Sequence, residues 1–135
     1  MFDTKVAILV LDELAMWQKL NVTAFLATGI AGAVPDAMGE PYVDAAGRPH
    51  ARLLGQPMMI FAAPGDVLQR AWRQANERGL VRAAYVRAMF DTGHDAANRE
   101  AFRAEPAETP DLVGLALHGG RKDVDKAVKG AKLHP

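Results

Sequence analysis

Six consecutive apolar residues, Val6 to Leu11, constrain this chain more than any other stretch. The run is too short to cross a membrane and has the length of a strand buried on both faces. Asp12 and Glu13 end it, and Asp12 carries a side chain able to accept from the free amides of a following helix. From Met16 to Ile30 the residues read as that helix, and after Lys19 it bears no charge. On a helical wheel Leu20, Ala24, Ala27 and Ala31 share one stripe, while Val22, Leu26 and Ile30 share another. A helix apolar on two sides needs two covers. One is the sheet; the other is more chain or a second subunit, and a homodimer is the expectation.

The rest of the chain supplies the sheet. With 135 residues, half of them hydrophobic, it fits one α/β domain over 1–135 that buries roughly two-thirds of its unfolded surface. Tyr42–Asp44 and Pro49–Leu54 flank a turn in which Gly47 supplies a positive φ, the pattern of a small hairpin. Met58–Ala63 is a second buried strand, with Pro57 before it. Asp66 is the N-cap candidate for a one-sided helix that carries Val67, Leu68, Ala71, Trp72 and Ala75 inward and ends at Gly79. Arg82–Phe90 reads as a third strand and Asp95–Arg103 as a short helix capped by Thr92 or Asp95. Leu112–Leu117 is a fourth strand. Gly119-Gly120 turns into a last helix near 121–129, where Asp125 and Lys129 stand four apart. Strands alternating with helices imply parallel neighbours for the first three strands, with room for one antiparallel pair between third and fourth. The expected architecture is a three-layer αβα sandwich around a mixed, mostly parallel sheet of about four main strands plus the hairpin.

Composition removes several chemistries. There is no cysteine, so structural disulfides, thiolate metal sites and a cysteine nucleophile are excluded together. Sixteen basic and sixteen acidic residues cancel, which argues against a protein whose main task is coating nucleic acid. The four histidines show no metal-ligand spacing, so no metal or other cofactor is expected. No signal core precedes the first strand and no apolar run reaches membrane length, which reads as cytoplasmic, without membrane association.

Polar residues gather where strands end, the place where open α/β sheets bind ligands. Asp91-Thr92-Gly93-His94-Asp95-Ala96-Ala97-Asn98-Arg99 offers a carboxylate, hydroxyl, imidazole, amide and guanidinium within one turn and helix. A carboxylate orienting an imidazole suits proton transfer, with Arg99 holding an anion or carbonyl. The same residues also read as a well-capped surface turn, with Thr92 and Asp95 serving the helix and Arg99 paired to Asp95. Lys19, Asn21 and Thr28 interrupt the apolar helix. Lys19 sits at the electrostatically wrong helix end, where an anion would compensate it, or its stem lies over Trp17 or Met16 with the head in water. His118-Gly119-Gly120-Arg121-Lys122 is a glycine turn opening a helix, suited to anions or serving the turn alone.

The segments VAILVLDELAMWQK, GQPMMIFAAPGDVLQRAWRQANERGL and DLVGLALHGGRKDVDKAVKGAKLHP, in this order and spacing, resemble the type II peptidyl-tRNA hydrolase fold over nearly the whole length. More closely they resemble a small bacterial family within that superfamily described only as a domain of unknown function. Where the hydrolases open the first helix with Gly-Lys-Gly-Lys, this chain has Trp17-Gln18-Lys19-Leu20-Asn21, which keeps Lys19 and places Asn21 where the reactive lysine would stand. Their Asp-Ala-Gly-(Arg/His)-Thr stretch is matched by Arg87 to His94, with Asp91 and Thr92 adjacent. The segment Asp44–Leu54 is additional to the hydrolase pattern.

Three functions follow as expectations. The first is a hydrolase of a small acyl or peptidyl ester, with Asp91 and His94 as base machinery and Lys19 or Arg99 stabilising charge. Asn21, Thr92, Asn98, Arg99, Gly119 and Gly120 would then bind the ligand. The second is a non-catalytic module holding a small anionic metabolite in the same cleft. The third is peptidyl-tRNA hydrolase proper, against which the balanced charge predicts weak or no nucleic-acid binding.

Overall fold

The computed structural model describes residues 2–135. In chain order its elements are β1 (Thr4–Leu11), α1 (Met16–Ala33), β2 (Met38–Val43), β3 (Pro49–Leu54), β4 (Met58–Ala63) and α2 (Gly65–Glu77). They continue with β5 (Val81–Val86), α3 (Asp95–Arg103), β6 (Leu112–Gly120), α4 (Arg121–Ala127) and β7 (Lys132–Leu133). Short 3-10 turns occupy Pro35–Ala37 and Arg87–Asp91.

Five strands form one sheet in the order β5-β6-β1-β4-β7, and β2 and β3 form a separate hairpin. As its unbroken apolar run requires, β1 lies at the centre, and Val6 to Val10 are wholly buried. It pairs in parallel with β4, from Val6 opposite Met58 to Leu11 opposite Ala63. On its other side β6 is antiparallel to β1 and to β5, and β7 closes the far edge antiparallel to β4. The sheet is therefore mixed, with one parallel ladder, and not mostly parallel as expected. The third strand does run in the sense of β1 and β4, but β6 occupies the place beside β1. The reason lies in the link: α3 packs beside the 87–91 turn and β5 and does not cross the sheet, so the chain returns directly alongside β5 as an antiparallel neighbour.

Helices cover both faces. α1 lays Val22, Leu26 and Ile30 on one, all buried. Its close approach depends on Gly114 of β6, where a Cβ would run into Val22 Cγ1 and lie 3.0 Å from Leu26 Cδ1. α2 and α4 cover the other face with Val67, Leu68, Ala71, Ala75, Val124 and Ala127. Away from the sheet α1 stays open: Met16, Trp17, Leu20 and Phe25 are 63, 62, 64 and 56% exposed.

Several local expectations change. The third strand stops at Val86 and not at Phe90, because Arg87 N–H donates out of the ladder to Asp111 O at 3.0 Å and the chain winds into a 3-10 turn. Gly119 and Gly120 are the last residues of β6 and pair with Lys5 and Thr4, where a turn was expected. Asp125 pairs with Lys5 Nζ at 2.6 Å, across to β1, where a partner in Lys129 was expected. Asp12 is exposed and caps nothing; instead Gln18 Oε1 accepts from Ala15 N–H at 3.0 Å at the start of α1. Pro64, not Asp66, holds the N-cap position of α2. The hairpin begins earlier than read, at Met38, and Gly47 has φ 81°, the positive value its turn needs. Among the described residues, no helix is long and apolar enough to cross a membrane.

Candidate functional site

The turn after β5 uses its polar groups on itself. His94 is the N-cap of α3, and its Nδ1 accepts from Ala97 N–H at 3.2 Å. The Thr92 hydroxyl lies 2.9 Å from Met89 O and also bonds Asn98 Oδ1. Arg99 pairs with Asp95 one turn earlier on α3. Asp91 is exposed, and no hydrogen bond joins it to His94. The imidazole that would act as a base is thus spent, at one nitrogen, on a helix end.

The start of α1 splits its two polar residues between opposite flanks. Lys19 Nζ stands 3.3 Å from His134 Nε2, and His134 N–H donates to Ile60 O of β4 at 2.9 Å. Asn21 Nδ2 reaches the other way and donates to the Tyr85 hydroxyl of β5 at 3.3 Å. β4 and β5 lie on opposite sides of β1, so these side chains diverge. What joins α1 to the turn after β5 is aromatic. Phe90 sits 5.8 Å from the Trp17 ring, edge-on, and 5.2 Å from Tyr85, whose phenol is pushed up in pKa by burial, partly offset by Asn21. Gly119 and Gly120 are at the opposite end of the sheet, since Gly120 pairs with Thr4 whereas α1 follows Leu11. The structure does not bring them to the same cleft as Lys19, Asn21 or Asp91.

A concave site forms elsewhere, between α2, α3 and the segment 105–110. It encloses a cavity of about 750 Å³, within the ordinary range of small-molecule sites. Trp72 and Phe102 meet edge-to-face in it, with ring centroids 6.2 Å apart. Arg73, Arg99 and Arg103 line it, together with Glu77, Glu105 and Glu108. The neighbouring loop is fastened by α2: Gln69 Nε2 donates to Pro110 O at 2.6 Å and Trp72 Nε1 to Ala107 O at 3.0 Å. Arg73 and Arg103 have no ion-pair partner among the described residues, unlike Arg99. The arrangement can stack or enclose an apolar body and offer planar, two-pronged donors to a carboxylate.

Residues 4–135 match a family described as a protein of unknown function, DUF2000. The chain belongs to the DUF2000 family. It is also similar to a solved structure, that of the protein of unknown function Atu0240 from Agrobacterium tumefaciens str. C58. The two are 47% identical, with a TM-score of 0.96 over 100% of both chains. No curated protein matches the chain.

Of the polar residues read from this DUF2000 sequence, only Arg99 lines the α2–α3 groove. Trp72, Arg73, Phe102 and Arg103 were missed as a site. Trp72 reads as core and Arg73 as part of a solvated face, because α2 alone is an ordinary amphipathic helix. A signal was present in α3, where Arg99, Phe102 and Arg103 fall at i, i+3 and i+4 and share a face. Among the described residues, no group of three histidine or acidic side chains is placed to hold a metal ion.

Proposed function

We propose that this chain is a non-catalytic module that binds a small anionic ligand, an apolar body bearing one carboxylate, in the groove between α2 and α3. The observation that carries this reading is the Trp72–Phe102 edge-to-face pair lying beside Arg73 and Arg103 in one cavity. The rings present apolar surface to the body of the ligand, and an arginine fork reads its carboxylate. Glu77, Glu105 and Glu108 on the same lining repel polyanions, which favours a single negative charge over a polyphosphate.

Ester hydrolysis has less support. The groove holds no histidine, and His94 and Asp91 lack a shared hydrogen bond. Peptidyl-tRNA cleavage has less still: Lys19 and Asn21 diverge, and zero net charge supplies little attraction for tRNA.

Isothermal titration with a panel of aryl and alkyl monocarboxylates, 4-phenylbutyrate among them, tests the reading. Binding is expected for carboxylates and not for the matching alcohols, such as 4-phenylbutanol. The Arg73→Ala/Arg103→Ala variant should weaken it about tenfold or more, the loss expected for a charge-assisted contact. No response from any carboxylate, or equal affinity for acid and alcohol, refutes it.

A further inference from the structure

A second surface is unaccounted for by ligand binding. Among the exposed positions of α1, which also include Phe25 and Ala33, Met16, Trp17, Leu20, Ala24, Thr28 and Gly32 follow one another along its outer side. Spaced at helical intervals, they form one stripe without a charge. Its N-terminal half is large, with Met16, Trp17 and Leu20 more than 60% exposed. Its C-terminal half is small: a Cβ placed on Gly32 would meet nothing within 4 Å. The Thr28 hydroxyl already lies 2.6 Å from Phe25 O, so covering it strands no polar group.

We infer that a second copy of this chain covers the stripe, with the two α1 helices antiparallel about a twofold axis near Ala24. That arrangement sets Leu20 against Thr28 and Met16 against Gly32, each large residue of one helix over a small one of the other. A parallel pair would set large against large. The stripe is thus complementary in shape to itself, and self-complementarity is the requirement of a twofold interface. Charge agrees, since nothing on the stripe repels its own copy.

The hairpin completes the surface. Among the described residues, no other element covers β2 and β3 along most of their length, and Tyr42, Val43 and Leu53 are 57, 65 and 57% exposed. A two-stranded hairpin alone is marginal in water, so one with an uncovered apolar surface needs support. It leaves α1 at the C-terminal end, anchored by Gly55 N–H to Ala37 O at 2.7 Å. In the antiparallel pair this is the end that meets Met16 and Trp17 of the second copy. Met16, Trp17, Leu20, Tyr42, Val43 and Leu53 are each more than half exposed, and these are the apolar side chains a second copy would cover.

Because the chain contains no cysteine, single-cysteine variants report the pairing without background. Sedimentation of the full chain at low micromolar concentration should show a dimer, and Leu20→Glu should give a monomer with the same circular dichroism spectrum. Under mild oxidation Ala24→Cys should form a covalent dimer with itself. Gly32→Cys should not, yet it should cross-link when mixed with Met16→Cys. A wild-type chain that stays monomeric into the high micromolar range overturns the inference. So does self-linking of Gly32→Cys as efficient as that of Ala24→Cys, which would mean parallel helices.

Discussion

The Trp72 indole donates to the carbonyl oxygen of Ala107 at 3.0 Å, so one side chain of α2 both lines the groove and holds the loop that walls it. Trp72→Phe keeps a ring facing Phe102 and removes the donor. The loss should cost about 1 kcal/mol, the net worth of one such hydrogen bond. Amide exchange at residues 104–110 should quicken, and carboxylate affinity should fall with it. Hydrogen exchange and a denaturant melt check both effects.

Gly114 is where α1 comes nearest to the sheet. In Gly114→Ala the new methyl meets Val22, a stiff β-branched side chain on α1, with Leu26 also close. Overpacking of this kind costs about 1–3 kcal/mol. At Gly119 the obstructing atom is the far end of Leu80, which can turn away. Gly119→Ala should therefore cost less than Gly114→Ala in the same urea titration; the reverse order would contradict the packing described.

His94 is bound to a helix end, and its replacement should be felt there. His94→Ala removes the acceptor for Ala97 N–H and should cost about 0.5–1 kcal/mol, while His94→Asp, a better capping residue, should recover it. Asp91→Asn should leave the melting temperature unchanged. Loss of ligand binding in Asp91→Asn would restore the turn as a site.

The central strand, the apolar helix after it and the one-sided α2 were legible because each buries its residues in a period that the sequence itself displays. Strand order was not. Whether β6 lies beside β1 depends on where α3 packs, and nothing in Asp95–Arg103 states that it stays at the edge. The strand end at Val86 was hidden because Arg87 to Phe90 continue the same apolar-polar texture while their backbone turns away. At the turn after β5 the residue types that carry chemistry stand out in the sequence, but His94, Thr92 and Asn98 are occupied with one another or with backbone. The groove residues are brought together only by the tertiary contact of α2 with α3: the shared face of Arg99, Phe102 and Arg103 is visible in α3, but its meeting with Trp72 and Arg73 is not.

The tip of the hairpin should respond to acid. The Asp44 carboxyl is lowered to about 2, chiefly by its bond to His50 and then by Arg48. A depressed carboxylate stabilises the fold above its unfolded value of 3.8, and that support disappears as pH falls through about 2. Between these values the amides of Ala46 and Arg48, which donate to the Asp44 carboxylate, should lose protection ahead of β1, and Asp44→Asn should abolish the pH step. The contribution is local, because the site is open to solvent.

The most direct test of ligand binding is a map of where it occurs. Chemical shifts of the 15N-labelled protein titrated with 4-phenylbutyrate, or with the tightest carboxylate of the panel, should move for Trp72 to Glu77, Arg99 to Arg103 and Glu105 to Pro110. The Trp72 indole signal should move and the Trp17 indole signal should not. Shifts centred on Lys19, Asn21 and Asp91, with the α2–α3 groove silent, would contradict the assignment.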